Sequence, residues 1–193
     1  MLDNLNKYSI LLASNSPRRR ELLSGLGIPF SITSLPDVDE SFPETLTATE
    51  IPVYIAQKKA EAYLSRLTAS TLLITADTIV WLDGKVYGKP HDEREAKQML
   101  HDLSGKTHQV ITGVCLRTQH KEKIFYALTD VSFAELTNEE IDYYVSKYKP
   151  MDKAGSYGIQ EWIGFAAVKE IKGSYFNVMG LPIHQLYREL KCF

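Results

Sequence analysis

The stretch that decides the fold is SILLASNSPRRRELL, residues 9–23. Its first five residues form a short apolar run, which predicts a buried strand. The second half predicts a helix, with Ser16 as its N-cap and Pro17 at the first helical position, where a missing N–H costs nothing. A strand that leads through a loop of small residues into a helix N-terminus is the usual geometry for holding phosphate. This stretch therefore predicts an α/β fold with an anion site near its N-terminus.

Three arginines occupy the first turn of this helix, where the helix dipole disfavours positive charge. A bound anion explains them, and a basic surface patch is the alternative that the tetrapeptide alone does not exclude. At about 100° per residue, Arg19 lies nearly in line with the apolar stripe that continues through Leu22 and Leu23. Arg18 lies at the flank of that stripe and Arg20 points to solvent. We therefore expect Arg19 and Arg18 to face the end of the sheet.

Length and charge restrict the class of protein. With 193 residues we expect a single domain, residues 1–193. A net charge of −2 and a pI near 6.2 argue against nucleic acid as a partner. No apolar run approaches the roughly 18 to 20 residues that span a bilayer, and the first residues lack the regions of a signal peptide. Cys115 and Cys192 form neither a disulfide framework nor a CxxC site. These features predict a cytoplasmic protein without a membrane partner.

Acidic and basic side chains cluster in two further segments. Residues 35–49 form a long acidic loop that contains Glu40, and such loops are often functional, although a solvated surface loop is the alternative. A helix predicted over residues 52–67 places Lys59 beside its apolar stripe and Lys58 nearly opposite, as ordinary surface. The five histidines show no zinc-binding spacing. Any metal should therefore be Mg²⁺ or Mn²⁺, held by carboxylates and phosphates.

A second apolar run, residues 72–76, predicts a buried strand that ends at Asp77 and Thr78. An acid at the carboxyl end of a strand lies where open α/β sheets bind their ligands; a structural aspartate that caps a turn is the alternative. A hairpin over residues 79–86 follows, with its turn at Asp83 and Gly84. The remaining predicted elements are a strand at residues 30–34, a helix at 92–103, a strand pair at 110–116 and 124–133, and helices at 137–148 and 182–191. Regular glycines between residues 154 and 182 mark turns or let the backbone approach a flat ligand.

Taken in order, eight short motifs resemble those of the Maf family of nucleoside triphosphate pyrophosphatases. The resemblance runs from Ile10 to Leu190, and the stretch 161–165 is the part least like the family. The motifs are SNSPRR (14–19), DES (39–41), QKKA (57–60), ADT (76–78), GKP (88–90), LSGKTHQVITGV (103–114), AGSYGIQ (154–160) and NVMGLP (177–182).

This resemblance implies an α/β fold in which a long curved mixed β-sheet is flanked by helices, with two lobes around a central nucleotide cleft, as in inosine-triphosphate pyrophosphatases. It implies hydrolysis of a nucleoside triphosphate to the monophosphate and pyrophosphate with a divalent metal, and often a homodimer. Asp77 corresponds to the family's proton acceptor, and Glu40 and Asp77 to its metal ligands. An aspartate with a pKa of about 3.9 is a weak base, so the metal must lower the pKa of the attacking water. The implied phosphate-binding residues are Ser14, Ser16, Arg19, Lys59 and Lys89.

Three positions separate the branches of the family. Arg18, Thr78 and Gln160 resemble the set of the dTTP/UTP pyrophosphatase branch, whereas the other branch has a bulky aromatic residue, a glutamine and an acid there. The amide of Gln160 can donate to and accept from a uracil or thymine edge, and Arg18 can donate to a carbonyl oxygen. We therefore expect dTTP, UTP and modified uridine triphosphates as substrates.

Two other functions remain open. The protein could hydrolyse other or non-canonical nucleotides as a house-cleaning enzyme, which requires the same chemistry. It could instead be a nucleotide-sensing regulator of cell division with little turnover. The presence of the carboxylates of Glu40 and Asp77 and of the lysines Lys59 and Lys89 argues against an inactive relative of the enzyme.

Overall fold

The computed structural model describes residues 2–33 and 38–193. The end of the strand predicted at 30–34 and the start of the acidic loop lie outside these residues. The chain divides into two compact units. Unit 1 comprises Met1–Asp77, Thr112–Ala127 and Gly180–Phe193, and unit 2 comprises Thr78–Ile111 and Leu128–Met179. Across both described ranges, no helix combines the length and the apolar composition needed to cross a bilayer.

The described residues form seven strands and seven α-helices. The strands are β1 (Ser9–Ala13), β2 (Ser31–Thr33), β3 (Thr71–Leu82), β4 (Lys85–Tyr87), β5 (Thr107–Arg117), β6 (Glu122–Phe133) and β7 (Val168–Lys172). The helices are α1 (Pro17–Ser24), α2 (Glu50–Glu61), α3 (Glu93–Leu103), α4 (Asn138–Tyr148), α5 (Trp162–Ala167), α6 (Tyr175–Val178) and α7 (Ile183–Cys192).

The strands form one mixed sheet in the order β2-β1-β3-β5-β6-β7, with β4 paired to β3. Strand β1 runs parallel to both β2 and β3, whereas the pairs β3–β4 and β6–β7 are antiparallel. Strands β5 and β6 are antiparallel. The Gln109 side chain contacts that of Asp130, and at the connecting turn the Thr118 N–H donates to the Lys121 carbonyl. The predicted mixed sheet flanked by helices, and the predicted strand pair within it, are therefore confirmed.

In unit 1, helix α2 packs so closely on the sheet that its backbone lies directly against the strands. Ala56 and Ala60 are fully buried on the helix face that meets the sheet. The Thr75 hydroxyl of β3 donates to the Ala56 carbonyl at 2.6 Å. A Cβ at Gly113 of β5 would lie 2.4 Å from backbone atoms of Pro52, so only glycine allows this approach. Small side chains thus fix the position of the helix that carries Lys59.

Unit 2 contains a hydrophobic core with several buried aromatic side chains. Helix α3 buries Ala96, Met99, Leu100 and Leu103, and α4 contributes Tyr144. Helix α4 begins with a capping box in which Thr137 and Glu140 bond each other's backbone N–H. The helices predicted at 92–103 and 137–148 are therefore confirmed to within one residue at each end.

Two predicted boundaries are wrong. Strand β3 does not end at Ala76 but continues through Asp77 and Thr78 to Leu82. The β-branched residues Ile79 and Val80 are buried and favour the strand conformation beyond Thr78. The helix predicted over 52–67 ends at Glu61 and is followed by a 3₁₀ turn, Leu64–Arg66, that still buries Leu67. Helices α5 and α6 and strand β7 were not predicted, since elements of four to six residues are too short to show a periodicity.

The close approach of α2 to β5 makes a direct prediction for Gly113→Ala. The added methyl group collides with the Pro52–Val53 backbone, and overpacking of this kind costs about 1–3 kcal/mol. Urea unfolding should show a lower free energy of unfolding for this variant. Gly88→Ala is the matched control because nothing lies within 4 Å of its added Cβ, and we expect a change within about 0.5 kcal/mol. Equal unfolding midpoints for the two variants would contradict the packing argument.

Candidate active site

The loop between β1 and α1 is built from hydroxyl groups that accept hydrogen bonds from its own backbone. Ser14 Oγ accepts from the Ser16 N–H at 3.2 Å, and Ser16 Oγ accepts from the Arg19 N–H at 3.4 Å. The predicted roles of Ser16 as N-cap and of Pro17 at the first helical position are confirmed. Because both hydroxyls accept from the chain, each still has its own proton to donate toward an anion.

Arg19 points from α1 toward the sheet, as its helical phase predicts. Its Nε donates to the Gly180 carbonyl and its Nη1 to the Ala76 carbonyl, both at 2.7 Å. Burial lowers the pKa of the Arg19 guanidinium, while the nearby Asp77 carboxylate opposes that shift. Arginine remains charged in such surroundings, so a cation is held beside the carboxylate. Arg20 is exposed, as expected.

The carbonyl of Gly180 belongs to the site, although no pattern in the sequence predicts it. Gly180 has a φ of 107°, a backbone conformation that favours glycine, and it lies between α6 and α7. The signal was present in the motif NVMGLP, but a glycine there indicates only a turn. Its partner Arg19 is 161 residues away, and no local pattern predicts such a contact.

Lys59 brings together the two carboxylates that were predicted as metal ligands. Its Nζ lies 2.7 Å from Asp77 Oδ1 and 2.9 Å from Glu40 Oε1. The side chains of Lys59 and Asp77 are only 16% and 11% exposed. Asp77 follows Thr75 by two residues on β3, so both side chains point to the same sheet face, and the bond from Thr75 to α2 places the helix above it. The packing of α2 therefore sets the position of the Lys59 ammonium.

Lys58 is not the ordinary surface residue that its helical phase suggests. Its Nζ lies 2.7 Å from Asp39 Oδ2 and 3.2 Å from the Ser41 carbonyl. Hydrogen bonds from Lys58 and Ser41 hold the pKa of the Asp39 carboxyl well below its usual range. The two consecutive lysines thus bind consecutive acids, Asp39 and Glu40, and tie this segment to α2.

The remaining predicted site residues lie on other elements of the two units. Arg18 is half-buried in the first turn of α1. Thr78 is half-buried in β3 and Lys89 is exposed between β4 and α3, both in unit 2. Gln160, also in unit 2, has an amide oxygen that is shielded from solvent and has no hydrogen-bond partner within residues 2–33 and 38–193. The structure thus groups Arg19, Glu40, Lys59 and Asp77 in unit 1, and it places Gln160 as an unsatisfied buried acceptor in unit 2.

The residues present fit a hard divalent cation that is completed by a substrate. In the described part of the chain, no three His, Cys, Asp or Glu side chains are arranged to hold a metal ion. Two carboxylates, Glu40 and Asp77, nevertheless converge on one cation, the Lys59 ammonium. Magnesium is commonly held by one or two carboxylates together with substrate phosphates. This donor set therefore suits Mg²⁺ or Mn²⁺ bound with a phosphate ligand.

Fold and site together define an α/β protein with an open mixed sheet and a charged cluster beside a strand–loop–helix. A solved HAM1 protein from Coxiella burnetii shares this fold, with a TM-score of 0.53 over 96% of this chain and 100% of that one, at 15% identity. The Maf-like protein family matches residues 9–193, and the chain belongs to this family.

The sequence is also similar to curated relatives over its whole length. A protein of Phocaeicola vulgatus is 66% identical over 99% of both chains. A protein of Parabacteroides distasonis is 58% identical over 100% of both, and one of Porphyromonas gingivalis is 56% identical over 100% of this chain and 98% of its own. All three carry the name dTTP/UTP pyrophosphatase.

The carbonyl contacts of Arg19 predict that it contributes to stability. Arg19→Ala removes two charge-assisted hydrogen bonds, each worth about 1.5–3 kcal/mol, and should lower the free energy of unfolding in urea by at least the smaller amount. Arg20→Ala, the exposed neighbour, should change it by less than about 0.5 kcal/mol. If the two variants unfold at the same urea concentration, the carbonyl contacts do not stabilise the fold.

Proposed function

We propose that the protein is a nucleoside triphosphate pyrophosphatase that hydrolyses dTTP and UTP to the monophosphate and pyrophosphate. The observation that carries the proposal is the convergence of Asp77 and Glu40 on the Lys59 ammonium, with the Arg19 charge beside them. The shared name of the three relatives supports the same activity and the same substrates.

The reaction makes three demands that these residues can meet. A water must be placed in line with the α phosphorus, cations must stabilise the non-bridging oxygens, and the pyrophosphate leaving group must be neutralised. Asp77 is the proton acceptor for the water. Ser14 and Ser16 donate hydroxyl protons to phosphate oxygens, and Lys59 and Lys89 supply charge-assisted hydrogen bonds to them.

Arg19 is the third phosphate clamp of the proposal, and it also has a structural contribution. Its Nε and Nη1 donate to the carbonyls of Gly180 and Ala76, so it links α1 to the backbone at both positions. Its positive charge remains next to Asp77 and offsets the negative charge of a bound triphosphate. We therefore expect Arg19 to bind phosphate from a position that its two carbonyl contacts fix in advance.

Mg²⁺ or Mn²⁺ is the cofactor that the donor set suits, with Glu40 and Asp77 as its protein ligands. Such an ion would lower the pKa of a bound water and neutralise phosphate charge. A cytoplasmic location, a homodimer and the absence of a nucleic-acid partner complete the proposal. The net charge of −2 supports the last of these points.

The base is recognised by Arg18, Thr78 and Gln160. The buried amide oxygen of Gln160 lacks a partner in the described residues, and an unsatisfied buried acceptor is costly. The N3–H of uracil or thymine would satisfy this oxygen, while the amide N–H₂ and Arg18 can donate to the base carbonyls. A site of this kind discriminates strongly, because the wrong base leaves buried groups unpaired.

Asp77→Asn should abolish most of the turnover while preserving the fold. The change keeps the side-chain shape but removes the proton acceptor and one negative charge, so release of pyrophosphate from dTTP should fall by about 10²-fold or more. The matched control is Asp142→Asn on α4, which loses an exposed ion pair with Lys97 and should keep wild-type activity. Near-normal turnover in Asp77→Asn would refute its assignment as proton acceptor.

A substrate panel tests the proposed recognition of the base. With Mg²⁺ present, pyrophosphate release should be rapid from dTTP and UTP, retained with 5-modified uridine triphosphates, and poor with GTP and ATP. Gln160→Glu removes the amide donor and should reduce turnover of dTTP at least about tenfold, an effect much larger than its change in the free energy of unfolding.

The panel also separates the alternatives. Purine triphosphates as the best substrates would leave the pyrophosphatase chemistry standing and refute the proposed specificity. Binding of dTTP without turnover of any triphosphate would instead favour the nucleotide-sensing regulator.

A further inference from the structure

Gln160 lies at the corner of a tight turn in unit 2. The Glu161 N–H donates to the Gly158 carbonyl at 2.9 Å, which closes a four-residue turn with Ile159 and Gln160 at its two central positions. Ile159 is buried in the hydrophobic core of unit 2. The turn is therefore anchored through one corner residue, while the other corner carries the unsatisfied amide oxygen.

Both ends of this turn are bonded to the same hydroxyl group, that of Tyr144 on α4. The Gly158 N–H donates to Tyr144 Oη at 2.9 Å, and Tyr144 Oη in turn donates to Glu161 Oε2. Burial, and then the hydrogen bond to Glu161, raises the pKa of the Tyr144 hydroxyl, so it keeps its proton at any pH at which the protein works. A single protonated hydroxyl thus spans the first and last residues of the turn.

The second oxygen of Glu161 is occupied as well. Lys153 Nζ lies 3.1 Å from Glu161 Oε1 and 2.7 Å from Asp152 Oδ1, and its side chain is only 8% exposed. A Cβ at Gly158 would lie 2.8 Å from Glu161 Cδ and 3.0 Å from Lys153 Cε. Glycine at this position therefore lets the ion pair lie directly against the backbone of the turn.

The residue before the turn is fixed by a further buried contact. The hydroxyl of Tyr157 lies 2.7 Å from His108 Nε2, and the two rings pack edge to face. Burial lowers the pKa of His108 to about 4, so the contact is one between neutral groups at physiological pH. The chain is thus held on both sides of Gln160 by buried polar groups, which leaves its backbone little freedom to adjust.

We propose that Tyr144, Glu161 and Lys153 are positioning residues for nucleotide selectivity: they hold the turn so that the Gln160 amide faces the base in one orientation. This inference rests on the proposed recognition of the base by Gln160. None of the three residues needs to touch the nucleotide. Glu161 lies in the stretch least like the family motifs, so its role comes from its contacts and not from the resemblance.

The physical basis is preorganisation. A glutamine that must be ordered on binding loses conformational entropy, and its amide can turn over to present either the donor or the acceptor to a base. A clamped turn removes much of that freedom before the substrate arrives. Loosening it should weaken binding of the correct base more than it slows the chemical step, which takes place at the phosphates.

Tyr144→Phe is the central variant, and Tyr143→Phe is its matched control. Tyr143 is the exposed neighbour on α4, and its hydroxyl accepts a hydrogen bond from the Lys147 ammonium at the surface. We expect Tyr144→Phe to raise KM for dTTP about tenfold, with kcat within about twofold, and to lower the ratio of kcat/KM for dTTP over dCTP by a similar factor. Tyr143→Phe should leave all three values unchanged.

Two further variants separate positioning from simple loss of stability. Glu161→Gln keeps an acceptor for Tyr144 and should retain most of the dTTP preference, whereas Glu161→Ala should lose it. In a Gln160→Ala background, Tyr144→Phe should change the dTTP:dCTP ratio no further, because the group that it positions is already gone. A Tyr144→Phe variant with a lower melting temperature and an unchanged ratio would overturn the inference, as would full additivity with Gln160→Ala.

The failure of this inference can be distinguished from the failure of the proposed function. If the wild-type protein shows no preference for dTTP and UTP, the proposed function fails before any variant is tested. If the wild type shows the preference and Tyr144→Phe keeps it, the proposed function stands and the positioning role is refuted.

Discussion

The charged cluster depends on one constraint: the backbone of α2 packs directly against the strands of the sheet. Gly113 removes the side chain that would keep the helix away, and the Thr75 hydroxyl bonds the helix backbone to β3. A helix held at this distance places the Lys59 ammonium next to the carboxylate of Asp77, two residues after Thr75 on β3. A long lysine side chain on a looser helix would lose rotamer entropy to reach the same point. Close packing therefore determines the electrostatics of the site.

The cluster in unit 1 is balanced in charge before any ligand is present. Lys59 and Arg19 supply two positive charges, and Asp77 and Glu40 supply two negative ones. Removing one member of a partly buried set leaves its partner without compensation, which costs more than the pair contributes. A site that binds a highly charged substrate must keep such groups out of bulk water, because preorganised charges act strongly only where water is excluded. The carbonyls that hold Arg19 contribute to this by fixing a half-buried cation beside the carboxylates.

Local patterns in the sequence were sufficient to predict the first strand, the loop after it and the first helix. The cap at Ser16 and the inward direction of Arg19 follow from short-range rules that tertiary contacts did not override. The end of β3 could not be predicted, because a polar pair inside a strand resembles a strand end when its burial is unknown. The partners of Arg19 were equally inaccessible, since Gly180 is brought to it only by the fold. Family resemblance named the cluster residues, but it gave no role to Glu161, whose contacts appear only when α4 is packed against the turn.

The half-buried Lys59 and the buried Lys153 each bridge two acids, but the two bridges suit opposite purposes. Lys59 bridges Glu40 and Asp77, and Lys153 bridges Asp152 and Glu161. In the first bridge Glu40 is 48% exposed, so water can take over its solvation and the bridge can open to a substrate at modest cost. In the second, Glu161 also accepts a hydrogen bond from the buried Tyr144 hydroxyl, and moving its carboxylate away would leave that hydroxyl proton without its acceptor. The first arrangement suits the proposed exchange of ion pairs for phosphate and metal, and the second suits a rigid support for the turn that we propose to recognise the base.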